Sequence, residues 1–105
     1  MELKDELIGR VRELRPAIAA RAAATEKNRA LLDETVKELC ETGIMQILTP
    51  KRYGGHELHM DTVSEITRIL ASACVSTGWV TSFYMGHNFF FAQFPERAQD
   101  EIWAN

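Results

Sequence analysis

Trp79, Phe83, His87, Phe90 and Phe94 follow one another at steps of four, four, three and four, the spacing that places side chains on one face of an α-helix. An imidazole set among aromatic rings combines a surface for a flat organic molecule with a group that exchanges a proton near neutral pH. Ser82 and Asn88 add polar atoms beside the stripe. Gly78 and Gly86 lie in the same helical pattern, where each costs about 1 kcal/mol relative to alanine, a penalty that usually accompanies close approach by a neighbouring helix or a ligand. A second reading stays open: a lone histidine on an apolar face is more often a core residue satisfied by one hydrogen bond, and tight helix packing alone accounts for the glycines.

The other chemistry-bearing residues offer less. His56 and His59, in GGHELH, are three apart, but the pattern is not H-E-x-x-H and no further ligand lies nearby, so both read as solvated loop histidines and no metal site is expected. KRYGG, residues 51–55, puts two cations before a Gly-Gly turn without either glycine-rich phosphate-binding frame. The acids near bases, Glu13 with Arg10 and Glu34 with Lys37, read as exposed helix faces. Cys40 and Cys74 fall within apolar helical patterns and are expected as reduced core residues.

Twelve Lys and Arg against fifteen Asp and Glu, a net charge of −3 with no basic block, argue against a nucleic-acid partner. The opening MELKDEL lacks the charged-then-apolar order of a secretory signal, and the expected location is cytoplasmic. The longest apolar run, residues 78–94, is interrupted by Thr81, Ser82, His87, Asn88 and Gln93. It falls short of the roughly 20 apolar residues of a membrane span, so a buried helix is expected and no membrane partner.

The elements that must carry these residues are helical. Leu3, Leu7, Val11, Leu14, Ile18 and Ala22 mark one face of a first helix, with a kink or break expected near Pro16. Asp33 is the expected N-cap of a second helix that Gly43 ends, followed by an extended connector from Ile44 to Gly55. Thr62 to Glu65 has the form of a capping box opening a third helix. Ser76 is the expected cap of a fourth running to about Phe94, and Pro95 with Glu96 opens a fifth that ends near Trp103. With no period-two alternation, the expectation is an all-α bundle of about five helices forming one domain over residues 1–105. The pattern stops at Asn105 without a final cap, and the chain is expected to be a fragment of a longer one.

Taken in order, LLDETVKELCETGIMQILTPKRYGG, RILASACVSTGWV and GHNFFFAQFPERAQDEIW resemble the N-terminal helical domain of the acyl-CoA dehydrogenase fold. More narrowly, STGW followed by His eight residues after the Trp is similar to the oxygenase components of two-component flavin-dependent monooxygenases, which hydroxylate phenols and related aromatic or steroid-derived substrates. The resemblance implies a longer, homotetrameric parent in which this domain forms one wall of the active site. It implies reduced FMN or FAD, bound mainly by regions beyond this chain and supplied by a flavin reductase, with a flavin C4a-hydroperoxide as oxidant. His87 would then contact the hydroxyl of a small aromatic substrate and favour its phenolate, as the catalytic residue. Trp79, Phe83 and Asn88 would belong to the substrate and flavin pocket. The alternatives carried from the residues are the N-terminal domain of an acyl-CoA dehydrogenase and a stand-alone helical interaction module.

Overall fold

A computed structural model of the chain describes residues 2–103. Six α-helices follow in order: α1 (Leu3–Ala20), α2 (Ala22–Asn28), α3 (Asp33–Thr42), α4 (Met60–Ala73), α5 (Val75–Phe91) and α6 (Glu96–Trp103). Two single 3-10 turns, Ile44–Gln46 and Lys51–Tyr53, lie between α3 and α4. The all-α expectation holds, with six helices in place of five.

The core is a layer of branched aliphatic side chains. Leu7, Val11 and Ile18 of α1, Leu39 of α3, Ile44 and Ile47 of the connector, and Ile66 and Leu70 of α4 are buried together with Met85 of α5. The α4–α5 hairpin is the most extensive contact, and α1 packs across α4. Polar side chains clip the layers at their edges: Arg15 Nε donates to Ser72 Oγ at 2.9 Å, and Arg10 Nη1 donates to the Thr42 carbonyl at 2.9 Å. Arg21, between α1 and α2, pairs with Glu34 at 3.3 Å and Glu38 at 2.5 Å on α3. The molecule measures 42 × 33 × 19 Å. Its thin dimension is about two helix diameters, so the broad faces are large relative to the core.

Several local expectations are corrected. The first helix runs through Pro16 and breaks at Arg21 instead. Pro16 and Arg12 are both exposed, so the carbonyl that loses its helical partner lies on the solvent side, where water can satisfy it. Asp33 is the first helical residue and not the cap, with Leu32 extended before it. From there its carboxylate and that of Glu34 still favour the positive end of the helix dipole. Helix α4 starts two residues before Thr62, which is buried inside the first turn, so no capping box forms. Cys74, not Ser76, precedes α5, and that helix ends at Phe91, short of Phe94. Cys40 is exposed, whereas Cys74 is buried as expected.

The connector from Ile44 to Gly55 is coiled, not extended. Gly43 takes the left-handed conformation at φ 90° that ends α3, as its position predicts. Gly55 lies so close to Thr49 that a Cβ there would stand 2.1 Å from the Thr49 carbonyl oxygen. The Tyr-Gly-Gly turn is therefore held by close backbone approach as much as by its torsions.

Candidate functional site

Helix α5 is inverted relative to an ordinary amphipathic helix. Its buried face is made of Thr77, Gly78, Thr81 and Met85, mostly small residues that let α4 approach. At Gly78 a Cβ would meet Ala71 backbone atoms at 2.8 Å, so this glycine answers to a neighbouring helix. The opposite face carries the aromatic stripe. Trp79 is 64% exposed, Phe83 45% and Phe90 59%, and His87 is exposed among them. The expectation of a buried helix is thus met on one face only. Gly86 has nothing within 4 Å of a would-be Cβ, so no element of this chain explains it.

The stripe is a continuous run of rings. Trp79 and Phe83 meet edge to face with centroids 4.8 Å apart, Phe83 and the His87 ring lie 5.6 Å apart, and His87 reaches Phe90 at 6.1 Å. These separations are those of favourable aromatic pairs. The Nδ1 of His87 lies 2.6 Å from the Phe83 carbonyl oxygen. A carbonyl can only accept, so Nδ1 carries the proton and donates it, and in the neutral ring Nε2 is left with its lone pair free. The backbone of α5 thereby fixes both the orientation and the tautomer of the one titratable ring on this face. What it presents outward is a hydrogen-bond acceptor flanked by apolar rings.

Of the residues singled out by spacing, Trp79, Phe83 and His87 come together and Asn88 does not. Asn88 points to the other side of α5, where its Nδ2 donates to the Met45 carbonyl at 2.9 Å and its Oδ1 accepts from Trp103 Nε1 at 3.2 Å. It ties α5 to the connector and to α6. Ser82 donates to the Trp79 carbonyl at 2.6 Å within its own helix. His56 is not merely solvated: its Nε2 lies 3.0 Å from the Gly43 carbonyl oxygen, at the end of α3. Among the described residues no group of three or more His, Cys, Asp or Glu is placed to hold a metal, and no helix is long and apolar enough to cross a membrane.

Spacing did not reveal a groove of about 350 Å³ at the N-terminal end of the stripe, lined by residues of α2, the α2–α3 link and the start of α5. Trp79 and Val80 form one wall, Leu31 and Ala30 another, and Thr25, Glu26, Arg29 and Ser76 are the polar residues of the lining. The groove depends on how α2 folds back beside α5, which no short-range pattern announces.

Comparison with known proteins places this geometry. The family model described as acyl-CoA dehydrogenase, N-terminal domain, matches residues 4–103. A pigment production hydroxylase of Rhodococcus sp. is 50% identical over 97% of this chain and 26% of its own length. The flavin-dependent monooxygenase oxygenase subunit HsaA of Mycobacterium tuberculosis is 44% identical over 92% of the chain and 25% of its own. The crystal structure of the HsaA monooxygenase from M. tuberculosis superposes with a TM-score of 0.94 at 42% identity, covering 97% of this chain and 28% of that one. The oxygenase component of p-hydroxyphenylacetate 3-hydroxylase from Acinetobacter baumannii is 34% identical over 92% of the chain and 23% of its own length. The chain therefore spans about a quarter of the length of the curated relatives it matches.

Proposed function

Because the chain belongs to the acyl-CoA dehydrogenase N-terminal domain family, we propose that it is the N-terminal domain of a longer, reduced-flavin-dependent monooxygenase that hydroxylates a phenolic substrate. The observation that carries this reading is the outward aromatic face of α5 with the free Nε2 of His87 at its centre. The names of its relatives support the reaction class: one is a hydroxylase, one the oxygenase subunit of a flavin-dependent monooxygenase, and one the oxygenase component of a p-hydroxyphenylacetate 3-hydroxylase.

In this reading α5 is one wall of a cavity whose other walls, and most flavin contacts, belong to regions outside the chain. The residues present fit a flat ring system: the stripe offers ring faces and edges, and Gly86 leaves open space at the level of His87. Reduced FMN or FAD, when bound, supplies the activated oxygen. The chain's own residues do the rest of what falls to this wall. Trp79, Phe83 and Phe90 exclude water and hold the aromatic substrate, and His87 Nε2 accepts the hydrogen bond of the phenol and takes its proton. That transfer raises electron density on the ring carbon to be oxidised. The same reading brings a separate flavin reductase, a homotetramer and a cytoplasmic location.

The test uses the full-length protein with a reductase and a simple phenol. His87→Ala should lower coupled hydroxylation by about 100-fold, the low end of a general base's contribution, while the affinity for reduced flavin changes less than twofold. Undiminished coupled hydroxylation would remove His87 from this role. Tightly held oxidised FAD that is reduced directly by an acyl-CoA thioester would instead make the parent a dehydrogenase.

A further inference from the structure

The groove at the N-terminal end of α5 has features that the aromatic stripe does not. Its walls are apolar, and its polar lining residues other than Glu26 are Arg29, Thr25 and Ser76, each able to donate a hydrogen bond. Arg29 lines it and forms no ion pair among the described residues, in contrast to Arg10, Arg21 and Arg52. Thr25 lines it while being only 3% exposed, and no hydrogen bond to its hydroxyl is formed by the described side chains. Val75 and Ser76, also in the lining, are the first turn of a 17-residue helix whose N-terminus has no side-chain cap. The leading amide groups of such a helix are unpaired and carry its positive dipole end. Glu26 is the one acid on the rim; it is shared, as Val75 and Ser76 are, with the neighbouring depression over Ala71 to Ser76, whereas Arg29 and Thr25 line this groove alone.

Together with Trp79, which belongs both to the groove and to the stripe, we propose that the groove is a subsite for a carboxylate-bearing end of the substrate, with Arg29, Thr25 and the α5 N-terminus as its donors. This deepens the monooxygenase reading and rests on it. A guanidinium beside uncapped helix amides suits a planar two-oxygen anion better than a neutral group. The geometry also sets a length. Trp79 and His87 are eight residues apart on one helix, roughly 12 Å along its axis. A phenol held at His87 therefore reaches the groove only if its carboxylate lies beyond a second ring or an equally long spacer. A one-ring phenolic acid with a short tail cannot engage both ends.

The experiment takes the full-length enzyme with two probes, a phenol carrying a carboxylate across a rigid spacer of that length and the same molecule with methyl in place of the carboxylate. The variant is Arg29→Gly. Arg29 sits at the left-handed C-terminal position of α2, φ 61°, where glycine is the favoured residue, so the change removes the guanidinium without straining the backbone. The expected result is a KM for the carboxylate probe about tenfold higher in the variant, an unchanged KM for the methyl probe, and unchanged kcat for both. Equal KM shifts for the two probes, or none, would overturn the subsite. A loss confined to flavin affinity would also overturn it, by assigning the donors to a cofactor phosphate. If neither probe is hydroxylated by the unaltered enzyme while other substrates of the fold are turned over, it is the monooxygenase reading that fails.

Discussion

At the scale of single residues, the two glycines of α5 look alike in sequence and are opposites in the structure. Gly78 is pressed on Ala71, so a methyl group there must push α4 and α5 apart across their main contact. Gly78→Ala should destabilise the chain by about 1–3 kcal/mol, the range for overpacking a core. Gly86 faces open space, and Gly86→Ala should stabilise the isolated chain by up to about 1 kcal/mol through helix propensity. Chemical denaturation of the two variants, followed by circular dichroism, checks both signs. A destabilising Gly86→Ala would mean that the open face is occupied in solution. Sequence alone flagged both positions but could not tell them apart, because the distinction lies in which residue of α4 is opposite. The same limit explains Asn88: its place next to His87 in sequence is half a turn removed from the stripe on the helix, where Met45 and Trp103 engage it.

At the scale of elements, helix existence was legible and helix starts were not. Of the periodic apolar positions of the first helix, Leu7, Val11 and Ile18 are buried, Leu14 and Ala22 half-buried and Leu3, at the helix start, exposed, while on α4 Val63, Ile66 and Leu70 are buried, since a helix face meets the core along its middle turns first. The expected caps Asp33, Thr62 and Ser76 each lie inside their helix, and no side-chain cap bond forms at α3, α4 or α5. Packing of the first turn outweighs the roughly 1 kcal/mol a cap supplies. Helix α6 is held differently, by the KRYGG turn. Arg52 pairs with Glu96 at 3.1 Å and reaches Gln99 Oε1 at 3.3 Å, and the Tyr53 hydroxyl donates to Asp100. The hydrogen bond to Asp100, chiefly, raises the Tyr53 pKa above its ordinary value of 10.0. The folded pKa being the higher one, the phenol's contribution is complete below the unfolded value and disappears as pH rises through the folded one. Thermal unfolding between pH 8 and 11 should show a decline at the alkaline end that Tyr53→Phe lacks, with the variant's Tm lower at pH 8. Identical alkaline limbs would show that the Asp100 bond does not hold α6.

At the scale of the molecule, a slab 19 Å thick has one core layer and two broad faces, and the α5 face is richer in large apolar side chains than a free surface should be. Trp79, Phe83, Phe89 and Phe90 are all exposed along one helix, whereas isolated proteins seldom leave contiguous apolar patches beyond a few hundred Å². The relatives are about four times longer than this chain, and a wall with its rings turned outward is what a quarter of such an enzyme would look like when separated from the rest. Two consequences follow for the 105-residue chain on its own. It should fold, because Leu7, Leu39, Ile66 and Leu70 bury one another without outside help, and it should self-associate or bind an apolar dye through α5. Replacing Phe83 and Phe90 by lysine should abolish that association in sedimentation velocity while shifting stability by no more than about 0.5 kcal/mol, as for other exposed positions. Neither form should bind reduced flavin tightly, since the stripe of α5 itself offers ring faces and one acceptor. A monomeric chain that ignores the dye would make the face an ordinary surface, and stoichiometric flavin binding by the isolated chain would place the cofactor site within these residues after all.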